Sequence, residues 1–293
     1  MIWGHRSSYH FFVFNKKILP EEVNMYRIEC DTHTHTFYSR HAYSTIEENV
    51  KAAKKAGLKL LASTDHFSDM LYADYKNIKN YQYFFGVDQW PREWHKVTLL
   101  RGCEADVVDL EGHLFGHDII CPESIIGDPY KGEPTLQELV FKKMDFVIAS
   151  VHAKRFAEGA GIAKTTEMYL KILENPKVYF IGHIGRAGVA FDMDTVLKRV
   201  KELHKAIEIN EHSFMWPGDH QEHCVRIAER CAELGVKICV NTDAHVSYDI
   251  GRFDRALKAL ETVHFPEELI INHSRESFIS GLSASGVLKH FLL

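Results

Sequence analysis

At 293 residues, with 45% hydrophobic and 26% charged residues, the chain has the composition of a globular protein large enough for one α/β domain. A formal net charge of −5 leaves no basic excess to neutralise a nucleic-acid backbone, and no run reaches the roughly eighteen apolar residues that span a bilayer. Six cysteines without a C-x-x-C pair are read as reduced, mostly buried thiols rather than a disulfide framework.

The first 24 residues differ from the rest. Their apolar stretch at 9–20 is too short and interrupted for a signal peptide and lacks a small-residue cleavage site, so the expected location is cytoplasmic. Met25 stands directly before a strand-like segment. Residues 1–24 are therefore read as a poorly ordered extension of a single hydrolase domain spanning 25–293.

From there, apolar runs alternate with helical patterns. Strands are predicted at 26–31, 59–63, 98–103, 146–151, 178–182, 206–209 and 237–241. With little polar alternation, such runs suit a parallel sheet covered on both faces. The clearest helix begins at Thr45, where Glu48 completes a capping box, and stops at Gly57. Further helices are predicted over 166–173, 193–205, 220–234 and 253–263. Repeated βα units close either an open sheet or a barrel. The reading favours a distorted TIM-like (β/α)7 barrel, with 67–97 and 105–144 as long insertions of functional character.

Nineteen histidines are many for this length, so their positions decide their meaning. Strand one ends in Asp31-Thr32-His33-Thr34-His35, followed by His41; strand two ends in Thr64-Asp65-His66. Glu104, His152, His183 and Asp243-Ala244-His245 follow strands three, four, five and seven. A lone histidine at a strand end is common, and Asp65 or Asp243 could simply cap a helix. Six of seven predicted strands ending in a ligand type is not so easily set aside. In a parallel barrel these ends share one face, where active sites sit. His33, His35, His41, His66, Glu104, His152, His183, Asp243 and His245 then line one cleft. Imidazole and carboxylate without thiolate suit zinc, manganese or iron. Arg186, three residues after His183, is the first candidate for binding phosphate, with Lys154 and Arg155 next. His113 and His117 are read as solvated loop residues, and ten further histidines, His212 among them, receive no role.

These ordered motifs resemble those of the PHP (polymerase and histidinol phosphatase) family over roughly residues 26–280. HAYST, TDH and NTDAH are most similar to its YcdX-like phosphatase branch. The resemblance implies three divalent metals, zinc first, with manganese or iron as alternatives. One would be held by His33, His35, Glu104 and Asp243; a second by Glu104, His152 and His183; a third by His41, His66 and His245. Asp31 and Asp65 would orient imidazoles from behind. The expected enzyme is a metal-dependent phosphoesterase acting on a small phosphomonoester through a metal-bound hydroxide, with Asp243, Glu104 and Arg186 as its catalytic residues. Alternatives are a phosphodiesterase or 3′–5′ exonuclease, a histidinol-phosphatase, or a catalytically silent metal-binding scaffold. The acidic balance argues against nucleic acid, and no membrane partner is expected.

Overall fold

The computed structural model describes residues 26–288, so the expected N-terminal extension lies outside the described residues. Nine strands form one sheet: β1 Cys30–Asp31, β2 Leu60–Ser63, β3 His66–Phe67, β4 Glu93–Trp94, β5 Val97–Asp106, β6 Phe146–Ser150, β7 Val178–Ile181, β8 Ala206–Asn210 and β9 Ile238–Asn241. The order β1-β2-β5-β6-β7-β8-β9 is parallel throughout, with β3 parallel to the end of β5 and β4 antiparallel to its start. The seven path strands are the seven predicted ones. Their ring closes beyond β1 and β9, where the Asp243 N–H donates to the His33 carbonyl at 3.0 Å and the His35 N–H to the Ala244 carbonyl at 2.9 Å. The result is a distorted seven-stranded TIM-like barrel.

Eight α-helices accompany the strands: α1 Ile46–Lys55, α2 Gln82–Phe85, α3 Leu136–Phe141, α4 Ile162–Glu174, α5 Met193–Glu202, α6 Asp219–Leu234, α7 Asp254–Thr262 and α8 Arg275–Ala284. The α1 capping box forms as predicted: the Thr45 hydroxyl accepts from the Glu48 N–H, and the Glu48 carboxylate accepts from the Thr45 N–H at 2.7 Å. α6 stops at Gly235, whose φ of +65° is left-handed. The expected insertions are not structureless. Residues 67–97 contain α2 and β4, and 105–144 contain α3, begun by a second capping box between Thr135 and Glu138. At four and six residues these helices are too short to generate a readable period.

Strand alternation divides the core in two. Leu61, Val147, Ile181, Ile207 and Val240 point outward into the layer covered by the helices. Leu60, Ala62, Leu100, Phe146, Ile148, Phe180, Ala206 and Cys239 fill a second cluster inside the ring. All six cysteines are buried and free, as expected. The strand starts are covered by α8, whose Phe278 and Leu282 join the inner cluster. The Phe278 ring lies 5.8 Å from that of Phe146 and 5.5 Å from that of Tyr179, centroid to centroid. Gly281 is required there, since a Cβ would fall 2.2 Å from the Tyr179 hydroxyl. This helix was not predicted, because its serines and glycine dilute the apolar period.

Phe278→Ala should therefore lower the unfolding free energy by about 3–5 kcal/mol in urea titration, the usual cost of an unfilled aromatic site. A loss below about 1 kcal/mol would show that α8 does not close the barrel core.

Candidate metal centre

The strands deliver their polar ends to the face opposite α8. Glu104 lies inside β5, which runs three residues further than predicted, to Asp106. Longer β5 gives β3 a partner and sets His66 beside Glu104 in register. His33 and His35 follow β1, His152 follows β6, His183 follows β7, and Asp243 and His245 follow β9.

Glu104 is fully buried, and both its oxygens face imidazoles. Oε1 lies 2.9 Å from His183 Nε2 and 3.3 Å from His152 Nε2. Oε2 lies 2.8 Å from His66 Nδ1, 3.4 Å from His33 Nε2 and 3.6 Å from His35 Nε2. Burial would raise this carboxyl, but His152, His33 and His66 hold it well below its ordinary range. Asp243 is the second hub: Oδ1 is 3.0 Å from His35 Nε2 and 3.5 Å from His33 Nε2, while Oδ2 accepts from Arg186 at 3.0 Å. A third group faces the opening, where His41 Nε2 lies 3.2 Å from His66 Nε2 and 3.0 Å from His245 Nε2. Burial, then His66 and His245, push the His41 imidazole down to about 4. Burial likewise lowers His35, His183 and His245, which keeps these rings neutral with a lone pair to offer near pH 7.

Whether cations suit these residues can be judged from hydrogen bonding. His33 Nε2, His66 Nδ1 and Glu104 Oε2 are buried atoms without a hydrogen-bond partner, although the two nitrogens lie 3.4 and 2.8 Å from that oxygen. Native interiors rarely leave such groups unsatisfied, and positive charge from divalent cations held in the cluster would compensate them. The donor set fits.

The rings are held from behind. His33 Nδ1 is 2.8 Å from Glu208, which also accepts from the His183 N–H at 2.7 Å and the Asn241 amide at 2.9 Å. His152 Nδ1 is 2.6 Å from Asp106, and His35 Nδ1 is 3.1 Å from the Ser39 hydroxyl. Asp65 acts one step further back than expected: it accepts from Ser39, Thr36, Ser63 and Tyr83 and touches no imidazole. Asp31 also differs from expectation. It accepts from Thr242 and Gly251, which ties β1 to the loop after β9. Two of the nine residues stand in left-handed backbone, His183 at φ +28° and Asp243 at φ +58°. Each costs on the order of 1–3 kcal/mol and persists only where surrounding bonds enforce it.

A cleft of about 490 Å³ opens over this cluster, lined by His41, His66, His152, His183, Arg186, His212, Asp243 and His245. Lys154 and Arg155 are not part of its wall. Sequence reasoning missed Glu208, Asp106 and His212. Glu208 was legible as a charge on the inward face of β8, between Ala206 and Asn210, and His212 as a histidine two residues beyond that strand.

Glu208→Leu would leave His33 Nδ1, the His183 N–H and the Asn241 amide without their acceptor. The expected result is a loss of about 3–5 kcal/mol in unfolding free energy, measured on chelator-treated protein. Unchanged stability would mean that Glu208 does not organise the cluster.

The PHP domain model matches residues 31–212. A probable phosphatase of Clostridium botulinum (strain Hall) is 36% identical over 259 residues, covering 88% of this chain and 96% of that protein. One from Thermoanaerobacter sp. (strain X514) is 38% identical over 247 residues, covering 84% and 91%. Among solved structures, the histidinol phosphate phosphatase of Lactococcus lactis, complexed with zinc, L-histidinol and phosphate, matches with a TM-score of 0.53 at 19% identity, over 80% of this chain and 92% of that one. At that identity the likeness is one of fold. By its matched domain and its relatives, the chain belongs to the PHP family.

Proposed function

We propose that this chain hydrolyses a small phosphomonoester with the help of three divalent cations, zinc first among them. The observation that carries the reading is the buried Glu104 carboxylate with an imidazole against each oxygen. His33, His35, Glu104 and Asp243 would hold one ion, and Glu104, His152 and His183 a second. His41, His66 and His245 would hold the third, with His66 also near Glu104. When bound, such ions lower the pKa of water and neutralise charge on phosphate oxygens.

The protein's own groups do the rest. Glu208 and Asp106 fix the tautomers of His33 and His152, leaving Nε2 of each toward Glu104. Asp243 holds Arg186 at the cleft wall, where its guanidinium would offer charge-assisted donors to the oxygens of a phosphate bound in the cleft. A second cleft of about 440 Å³ shares His212, Asp243 and His245 with the first and gives a leaving group room beside the reacting centre. Curated relatives named as probable phosphatases support the same reading.

Chelation should abolish p-nitrophenyl phosphate hydrolysis, and added zinc or manganese should restore it. Asp243→Asn and His33→Ala should be inactive while folded; Arg186→Ala should lower kcat by about 10²–10³-fold, as expected for a lost charge-stabilising donor. Full turnover after exhaustive chelation, or in Asp243→Asn, would sink the proposal. A panel of phosphomonoesters that includes L-histidinol phosphate, run beside bis(p-nitrophenyl) phosphate and single-stranded DNA, separates monoesterase from diesterase chemistry.

A further inference from the structure

A second group of side chains with metal-ligand atoms lies on the loop after β5, apart from the cleft wall described above. It comprises Asp109, His113 and His117, whose candidate ligand atoms all fall within 4.8 Å of one another. His113 Nδ1 is 2.8 Å from Asp109 Oδ2. The two imidazoles lie face to face, with centroids 4.3 Å apart and planes 5° from parallel. His117 Nδ1 is buried without a hydrogen-bond partner, its nearest acidic oxygen being that of Asp118 at 3.9 Å.

The loop is built to hold these groups still. Asp109 Oδ1 accepts from the N–H groups of Glu111 and His113 at 3.0 and 3.1 Å, which turns its Oδ2 to His113. Val107 and Leu114 pair as an antiparallel bridge, and the Phe115 N–H donates to the Asp106 carbonyl at 2.8 Å. Gly112, at φ +77°, passes so close to α4 that a Cβ would lie 2.8 Å from the Met168 carbonyl oxygen. The side chains remain accessible to an ion, with exposures of 32% for Asp109, 51% for His113 and 30% for His117.

We infer that Asp109, His113 and His117 form a peripheral site for a divalent transition-metal ion, zinc being the best fit, with water completing its shell. Two imidazoles and one carboxylate favour zinc, cobalt or nickel over magnesium and calcium, which take all-oxygen shells. An ion here clamps the loop that follows Asp106, the last residue of β5 and the one behind His152. Its role is to brace that loop, outside the hydrolytic chemistry.

The test compares full-length wild type with the His113→Ala/His117→Ala double variant and with Asp109→Asn. Each is equilibrated in the same zinc-buffered solution, and zinc per chain is counted by plasma mass spectrometry. The double variant should bind one zinc fewer than wild type and keep its p-nitrophenyl phosphate turnover. Asp109→Asn, which retains an acceptor for the loop N–H groups, should lose the same ion. Equal zinc content in all three proteins overturns the inference. So does a loss of zinc with a parallel loss of turnover, which would assign these residues to the main centre. Because metal content is the readout, the result stands even if no phosphoester proves to be a substrate.

Discussion

Everything at the strand ends depends on keeping one ionised carboxylate in the interior. Glu104 has no exposed surface, and a lone carboxylate there would protonate rather than remain charged. Five imidazoles from four segments of chain approach its two oxygens, and His152, His33 and His66 hold it well below the ordinary carboxylate range. That requirement explains much of the barrel. Strand β5 must reach past Glu104, β3 must lie alongside it to bring His66 into register, and the segments after β1 and β9 must pair at Asp243. The same electrostatic logic makes the cluster a receptor for cations. Facing nitrogen lone pairs and carboxylate oxygens without enough protons between them are satisfied together by positive charge.

The neighbouring shell converts that clustering into fixed geometry. Glu208 grips His33 on one side and the His183 backbone on the other, so a single carboxylate both orients a ring and holds the left-handed turn that aims the next. Asp106 does the equivalent for His152, while Asp65 acts through the Ser39 hydroxyl on His35. Residues placed this way constrain rotamers more tightly than packing alone, and catalytic sites need that precision. Arg186 is tethered to Asp243, yet it borders the cleft, so its positive charge stays linked to the carboxylate that faces His33 and His35.

Much of this was legible in the sequence for a simple reason. A parallel strand buried on both faces reads as an unbroken apolar run, so the first ligand-type residue after it marks the active face. That logic pointed to the face on which the structure gathers the nine candidate residues, and to the seven-strand ring. It failed where function interrupts the pattern. Glu208 sits inside β8, in a segment read only as apolar, and Asp106 lies beyond the predicted end of β5. Asp31 was expected behind an imidazole but binds Thr242 and Gly251, because the pairing of β1 with the loop after β9 is not encoded in local spacing. Helix α8 escaped for a different reason: tertiary packing of Phe278 and Leu282, rather than local propensity, makes it helical.

The central claim, that Glu104 is the shared anchor of a multi-metal centre, is tested most directly by anomalous diffraction from crystals of the metal-loaded protein at the zinc and manganese edges. The account predicts peaks at three positions in the cleft, two of them bonded to opposite oxygens of Glu104. Maps with no anomalous peak in contact with Glu104, from crystals whose metal content has been verified, would contradict it.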